Sequence, residues 1–219
     1  MPLTTPTCPQ CTNCAPMPQA LWVLPVALSS IGTIFQRLHY LHRLPPTSYA
    51  YMLSDSEIMG RVLGVATFGT PPSRHLMISA CASDPDKVLE FNRLWVDDAM
   101  PRNTESWFVS RVLRLLPPRV LVSYADTAVG HVGYIYRALN WHYAGLTDAD
   151  RRTPRFDYVT PGKHSRDTTR NLSMPTAERV RRKPKHRYWT VTGNRRERKN
   201  LERIVTWPRL GWKDVTPCR

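Results

Sequence analysis

No stretch of this chain reaches the roughly 18 consecutive apolar residues that a membrane-crossing helix needs. The longest apolar run, Leu21-Trp22-Val23-Leu24-Pro25-Val26-Ala27-Leu28, is interrupted by a proline and has neither the basic flank nor the small-residue cleavage site of a secretory leader. No membrane partner is expected, and the expected location is cytoplasmic. Cysteines number five, an odd count that fits free thiols in a reducing compartment better than a disulfide framework. Cys8, Cys11 and Cys14 form a CxxCxxC in a Pro- and Thr-rich stretch, but no fourth ligand stands at knuckle or finger spacing. They read as unligated thiols, with a metal site as the alternative. Acidic residues are scarce where basic ones abound: residues 151–219 hold 6 Asp+Glu against 20 Lys+Arg, whereas residues 1–150 hold 11 of each. The formal net charge of +14 therefore sits in the last third.

A charge-balanced body joined to a strongly basic segment points to an acidic partner, nucleic acid before an anionic membrane. The interleaving of cations with aromatics in Lys185-His186-Arg187-Tyr188-Trp189 favours an ordered strand over a solvated tail. With 219 residues, 42% hydrophobic and 22% charged, the chain is globular in composition, which excludes wholesale disorder, collagen and coiled coil. Its 20 prolines imply short elements with many stops.

Four regions follow. Residues 1–24 are expected to form a flexible Cys- and Pro-rich arm, 25–146 the folded core, 147–183 a polar, basic loop or excursion that orders on its ligand, and 184–219 the last strand and a basic segment of the same domain. Leu28, Ile31, Phe35, Leu38 and Leu41 recur at helical steps and predict a helix over 29–43, stopped by Pro45-Pro46. Ser48–Ser54 and Arg61–Gly69 predict a hairpin. Val88–Val96 predicts a strand with Leu89, Phe91, Arg93 and Trp95 on one face. Pro101-Arg102-Asn103-Thr104-Glu105 is a helix start, and Pro117-Pro118 its stop. Val120–Ala125, nearly all apolar, has the pattern of a strand covered on both faces. A helix over 129–139, a strand at 141–144, a last strand over 186–192 and a short basic helix through about Ile204 complete a mixed α/β (α+β) sheet flanked by helices.

That element order resembles the GNAT acetyltransferase fold. The blocks Val65–Arg74, Leu89–Leu94, Pro101–Ser106, Ser123–Gly133 and Lys185–Tyr188, over about residues 36–205, resemble the Mom family of bacteriophage DNA adenine-modification proteins. The resemblance implies conversion of the exocyclic N6 amine of adenine in DNA to a methylcarbamoyl (carbamoylmethyl) adduct that shields phage DNA from restriction in the bacterial host. It implies a GNAT-like core using an acyl-CoA, acetyl-CoA first, with iron a further candidate and no S-adenosylmethionine. The partners implied are double-stranded DNA and a small-molecule group donor.

Within that reading, Arg102, Asn103, Thr104 and Ser106 at the predicted helix start are the candidates for holding the cofactor pyrophosphate, since helix N-termini favour anions. The Gly-rich pattern usual in the wider superfamily is absent there. Adenine N6 is a poor nucleophile, so the site needs an acceptor for its proton. Asp126, just past a strand's carboxyl end, is the candidate base, with capping of the next helix as its bland alternative. Tyr136 stands where many GNAT enzymes keep a tyrosine that protonates the departing thiolate. Arg93, a charge on an otherwise apolar face, needs a partner such as Asp126 or a phosphate. His39 and Tyr40 fall in the same blocks, and the pair His39 and His42 is a weak metal candidate. Chemistry on a duplex base calls for extrusion onto aromatic faces, for which Tyr40, Tyr49, Tyr51, Tyr124 and Trp141 are available. Lys163, Arg181, Arg182, Lys183, Lys185, Arg187, Arg195, Arg196, Arg198 and Lys199 are the expected phosphate contacts.

Two rivals stand against this. An S-adenosylmethionine-dependent adenine methyltransferase would carry a Gly-rich cofactor loop and a [DNS]-P-P-[YFW] motif, which Leu44-Pro45-Pro46-Thr47 and Thr70-Pro71-Pro72-Ser73 only echo. A non-enzymatic basic nucleic-acid binder would explain the charged third and leave Asp126 and Tyr136 as ordinary structure.

Overall fold

The structure is a computed structural model that describes residues 20–39, 41–58, 60–148, 151–159, 178–212 and 215. The thiols Cys8, Cys11 and Cys14, together with Tyr40 and Lys163, lie outside the described residues.

A seven-stranded sheet forms the centre. Four strands, β1 (Trp22–Pro25), β2 (Tyr49–Ser54), β3 (Val62–Gly69) and β4 (Val88–Val96), make an antiparallel meander. β5 (Val120–Asp126) joins β4 in parallel, and β9 (Lys185–Val191) inserts between β5 and β6 (His142–Leu146), antiparallel to both. The mixed sheet expected from the sequence is thus present, and part of the expected arm belongs to it. Leu21 is fully buried and Trp22–Pro25 pair with β2, with Pro25 tolerated because β1 is an edge.

Helices cover both faces. α3 (Thr104–Leu115) and α4 (Tyr134–Ala138) pack Phe108, Val109, Val112 and Tyr136 against Phe68, Leu89, Phe91 and Leu121. On the other face, α1 (Leu28–Arg37) sets Ile31 and Phe35 against Ala50 and Val65. Beside it, α2 (Arg74–Ala80) and α5 (Arg195–Ile204) set Met77, Ala80 and Leu201 against Val88, Val120, Val122 and Trp189. The alternation along β5, Val120 and Val122 to one layer and Leu121 to the other, is why its apolar run is continuous. Asn194 and Glu197 form a reciprocal capping box that starts α5. Outside the main sheet, β7 (Phe156–Val159) and β8 (Glu178–Arg181) form a separate two-stranded ribbon within the expected loop.

Three departures shape the site. α1 ends at Arg37, so His39 and His42 lie beyond it, His42 at φ 45, and no longer share a helix face. The expected helix over 129–139 is broken: a 3-10 turn at Thr127–Val129 and the short α4 are separated by Gly130 and Gly133, both at positive φ. At Gly133 a Cβ would stand 2.7 Å from the Tyr188 ring, so only glycine lets this loop reach β9, where Tyr188 donates to the Val132 carbonyl at 2.6 Å.

The third departure is a β-bulge in β4. Thr67 pairs with Arg93 and Phe68 with Phe91, which leaves Asn92 as the extra residue. An inserted residue reverses the facing of all that follow. Arg93 therefore does not share a face with Leu89 and Phe91; Leu94 and Val96 take that face, and Trp95 packs with α1. The bulge is held on both sides. Asn92 accepts from the Thr67 hydroxyl at 2.6 Å and donates to the Pro46 carbonyl at 2.7 Å. Pro46 reaches it because Gly69 leaves room, a Cβ there falling 1.9 Å from the Pro46 oxygen.

Candidate active site at the opening of the sheet

β4 and β5 pair over three positions only, Val88 with Val120, Leu89 with Leu121 and Glu90 with Val122, and then part. The Asn92 bulge sits where they separate. Ser123 bridges the parting, its hydroxyl donating to the Phe91 carbonyl at 2.7 Å. With that proton committed, Ser123 accepts from the Tyr136 hydroxyl, also at 2.7 Å. Tyr136, buried and stacked on Tyr188 at 4.5 Å between ring centroids, thus closes the base of the opening.

A cavity of about 700 Å³ lies on the α2 side of the opening, and one of about 570 Å³ on the α3 and α4 side. Both fall in the range of small-molecule sites. Leu94, Tyr124, His131, Ile135 and Tyr136 line both, so the two meet at the parted strands. The larger cavity brings together His39, Arg93, Asp126 and Tyr136, with Arg182, Lys183, Lys185 and Arg187 among its other lining residues.

Asp126 accepts from Lys185 through Oδ2 at 2.5 Å and from the Ala128 N–H through Oδ1 at 2.9 Å. It both caps the turn that follows and lines the cavity. A carboxylate has about four lone-pair sites, so these two bonds leave it able to accept a further proton donor. Its ion-pair partner is Lys185 rather than Arg93; Arg93 donates to its neighbour's carbonyl, Asn92 O, at 2.6 Å. His39 accepts from the Leu41 N–H through Nδ1 at 3.1 Å, which places the proton of the neutral ring on Nε2. Burial first, then the charges of Arg93, His42 and His131, push the imidazole down from 6.5 to about 4. At neutral pH it is therefore an uncharged hydrogen-bond donor. Burial likewise pushes the Tyr124 phenol up, with Glu90 adding to the shift, so it stays protonated.

The smaller cavity opens at the start of α3. Asn103, in the left-handed region at φ 70, and Ser106 line it together with Glu105. Thr104 does not: its buried hydroxyl donates to Pro101 O at 2.6 Å and makes the turn rather than a ligand contact. Arg102 is exposed and outside the lining.

The sequence profile described as the Mom protein family matches residues 21–206. This chain belongs to the Mom family. The methylcarbamoylase Mom of Escherichia phage Mu is 32% identical to it over 120 residues, 52% of this chain and 48% of that protein, so the match spans about half of each. Among solved structures, a histone acetyltransferase-related protein of Corynebacterium glutamicum covers 80% of this chain and 97% of its own at TM-score 0.41 and 13% identity. An N-acetyltransferase of Staphylococcus aureus covers 78% and 98% at TM-score 0.43 and 13% identity. The mixed sheet itself rests on its strand order.

In this Mom-family chain the expected cations fall into two groups. Arg182, Lys183, Lys185 and Arg187 line the larger cavity, with Arg181 exposed beside them on β8. Arg195, Arg196, Arg198 and Lys199 are exposed on α5, which begins just past Val191, the residue paired with Val120 at the closed end of β5. They stand at the end of the sheet away from the cavity. Of the expected aromatic platforms among the described residues, Tyr124 alone lines the cavity, where its ring meets Trp207 edge to face at 6.4 Å. Tyr51 and Trp141 are core, and Tyr49 packs against it.

Sequence reasoning missed Glu90, His131 and Trp207, all in the lining. His131 lies within Ser123–Gly133, beside Gly130, where a titratable residue next to a strand end was the available signal. Among the described residues no group of three or more His, Cys, Asp or Glu is placed to hold a metal ion, and no helix is long and apolar enough to cross a membrane. His42 points Nδ1 at Gln36 O, 3.0 Å away.

Proposed function

We propose that this chain is a transferase that modifies the N6 amine of adenine in DNA, leaving a methylcarbamoyl group and so protecting the DNA from restriction. The observation that carries the reading is the opening between β4 and β5 in a Mom-family chain: a cation-bearing cavity on one side, a helix-start cavity on the other, and Asp126 and Tyr136 at the junction. The phage Mu relative is a methylcarbamoylase, which supports the group transferred.

An extruded adenine enters the larger cavity, where Tyr124 and Trp207 offer aromatic faces and the cations hold the flanking phosphates. Asp126 accepts the proton that N6 loses as its bond to the incoming carbon forms. The donor's leaving group departs with its electron pair and takes a proton from Tyr136, whose hydroxyl is held by Ser123. His39, neutral and donating through Nε2, adds a polar contact without adding charge.

For an acyl-CoA donor, the residues present fit in part. α3 directs its first turn, with Asn103 and Ser106, at the smaller cavity, and the unpaired N–H groups of that turn favour an anion. The Glu105 carboxylate in the same lining opposes one. A thioester bound there would supply an acyl carbon, whose transfer alone gives an N6-acyl adenine; the N6–CH2 bond and amide nitrogen of a methylcarbamoyl group require a donor in which N6 attacks a methylene that bears the carboxamide and a leaving group.

Mass spectrometry of nucleosides from plasmid DNA of expressing cells tests the proposal. Adenine heavier by the methylcarbamoyl increment is expected. A methyl increment, or unmodified DNA, overturns it.

A further inference from the structure

We infer that the β7–β8 ribbon is a major-groove reader that sets which bases may flank the target adenine. This rests on the reading that the partner is duplex DNA. The ribbon pairs Phe156 with Arg181, Asp157 with Val180, Tyr158 with Arg179 and Val159 with Glu178. Directly paired residues share a face, so Phe156, Tyr158, Arg179 and Arg181 lie together on one side, and the Arg179 guanidinium sits over the Phe156 ring at 3.8 Å. Neither arginine forms an ion pair among the described residues.

The other side is chemically different, with Asp157, Glu178, Val159 and Val180. Only one face is therefore built to meet a polyanion. A two-stranded ribbon is marginal alone in water, and among the described residues this one belongs to no larger sheet. It is secured at its base instead. Arg182 makes a two-pronged ion pair with Asp157 and donates its backbone N–H to Arg155 O at 2.9 Å, while Arg155 reaches Asp148 at 3.6 Å.

That base is also the cavity wall, since Arg155, Arg182 and Asp148 line the larger cavity. A base held in the cavity thus has its duplex neighbours beside the ribbon. The major groove admits a two-stranded ribbon, and the arginine fork matches the O6 and N7 acceptors of guanine. The minor groove is about half as wide and carries a degenerate pattern. The exposed cations of α5, which have no such aromatic partner face, remain sequence-blind phosphate contacts.

The test uses the full chain and a pool of 20-base-pair duplexes, each with one central adenine and randomised flanks, from which bound duplexes are sequenced. Wild type is expected to enrich particular flanking bases by about tenfold or more. Arg179→Lys with Arg181→Lys keeps the charge but loses the fork; it should keep affinity within about threefold and lose the enrichment. The double alanine variant, checked for an unchanged melting curve, should lose enrichment and some affinity. Enrichment retained in the lysine variant overturns the inference, as does a wild type that binds without any flanking preference. A wild type that fails to bind duplex at all overturns the DNA reading beneath it.

Discussion

β5 is two different strands along its length. From Val120 to Val122 it has a partner on both edges, β4 and β9, and its side chains are fully buried. From Ser123 to Asp126 it keeps only β9, and hydroxyl, phenol and carboxylate groups replace valines and leucine. The closed half is fixed by packing alone. In the open half side chains take part: the Phe91 carbonyl accepts from Ser123, Ser123 accepts from Tyr136, and Asp126 pairs with Lys185 beside the cavity. The proposed function sits where the sheet stops pairing, because there a ligand can reach the middle of the sheet from both faces.

The sharpest way to break this contrast is to remove chemistry from the open half. Asp126→Ala should lower modification by at least about 100-fold while DNA binding changes by less than about threefold, read by nucleoside mass spectrometry and fluorescence anisotropy. Retained modification would remove Asp126 from the reaction. In the closed half the reverse is expected: Leu121→Ala leaves a cavity between α3 and the sheet and should cost roughly 2–5 kcal/mol of stability in urea unfolding, whereas Asp126→Ala should cost under about 1 kcal/mol.

Much of the closed half was legible in the sequence. The continuous apolar run Val120–Ala125 gave β5, Pro117-Pro118 the stop before it, and Val88–Val96 the bounds of β4. The open half was legible in its residues and not in its geometry. Asp126, Tyr136, Arg93 and His39 were named, but strict alternation put Arg93 with Leu89 and Phe91, because a bulge is invisible to a period of two. The helix over 129–139 failed at Gly130 and Gly133 because helical spacing of Val132, Ile135 and Tyr136 outweighed two glycines. α2 was missed because Arg74–Ala80 is too short for a period to show. The ribbon was hidden by polar composition.

A pH titration sharpens the comparison from the side of His39. Its folded value, about 4, lies below its ordinary 6.5, so between those values the unfolded chain binds more protons than the folded one. Stability should be intact above pH 6.5, fall by roughly 1–3 kcal/mol as pH drops to about 4, and flatten below. His186, also lowered by burial, adds in the same direction. His39→Gln should reduce the slope; an unchanged slope would mean that His39 is not buried as the neutral ring.

The smallest effect is expected at the far end. Alanine at Arg195, Arg196 and Arg198 together should make the salt dependence of DNA binding shallower by up to about 2.7 on a log–log plot, with modification of bound DNA unchanged. An unaltered slope would confine the DNA contact to the open end.

The central claim is that a purine leaves its duplex and enters the cavity where β4 and β5 part. Photocrosslinking with a duplex that carries 8-azidoadenine at a single adenine tests it most directly, with the attached peptides mapped by tandem mass spectrometry. The account predicts attachment within Ser123–Tyr136 or at Trp207. Attachment confined to α5, or to phosphate-contacting lysines alone, would contradict it.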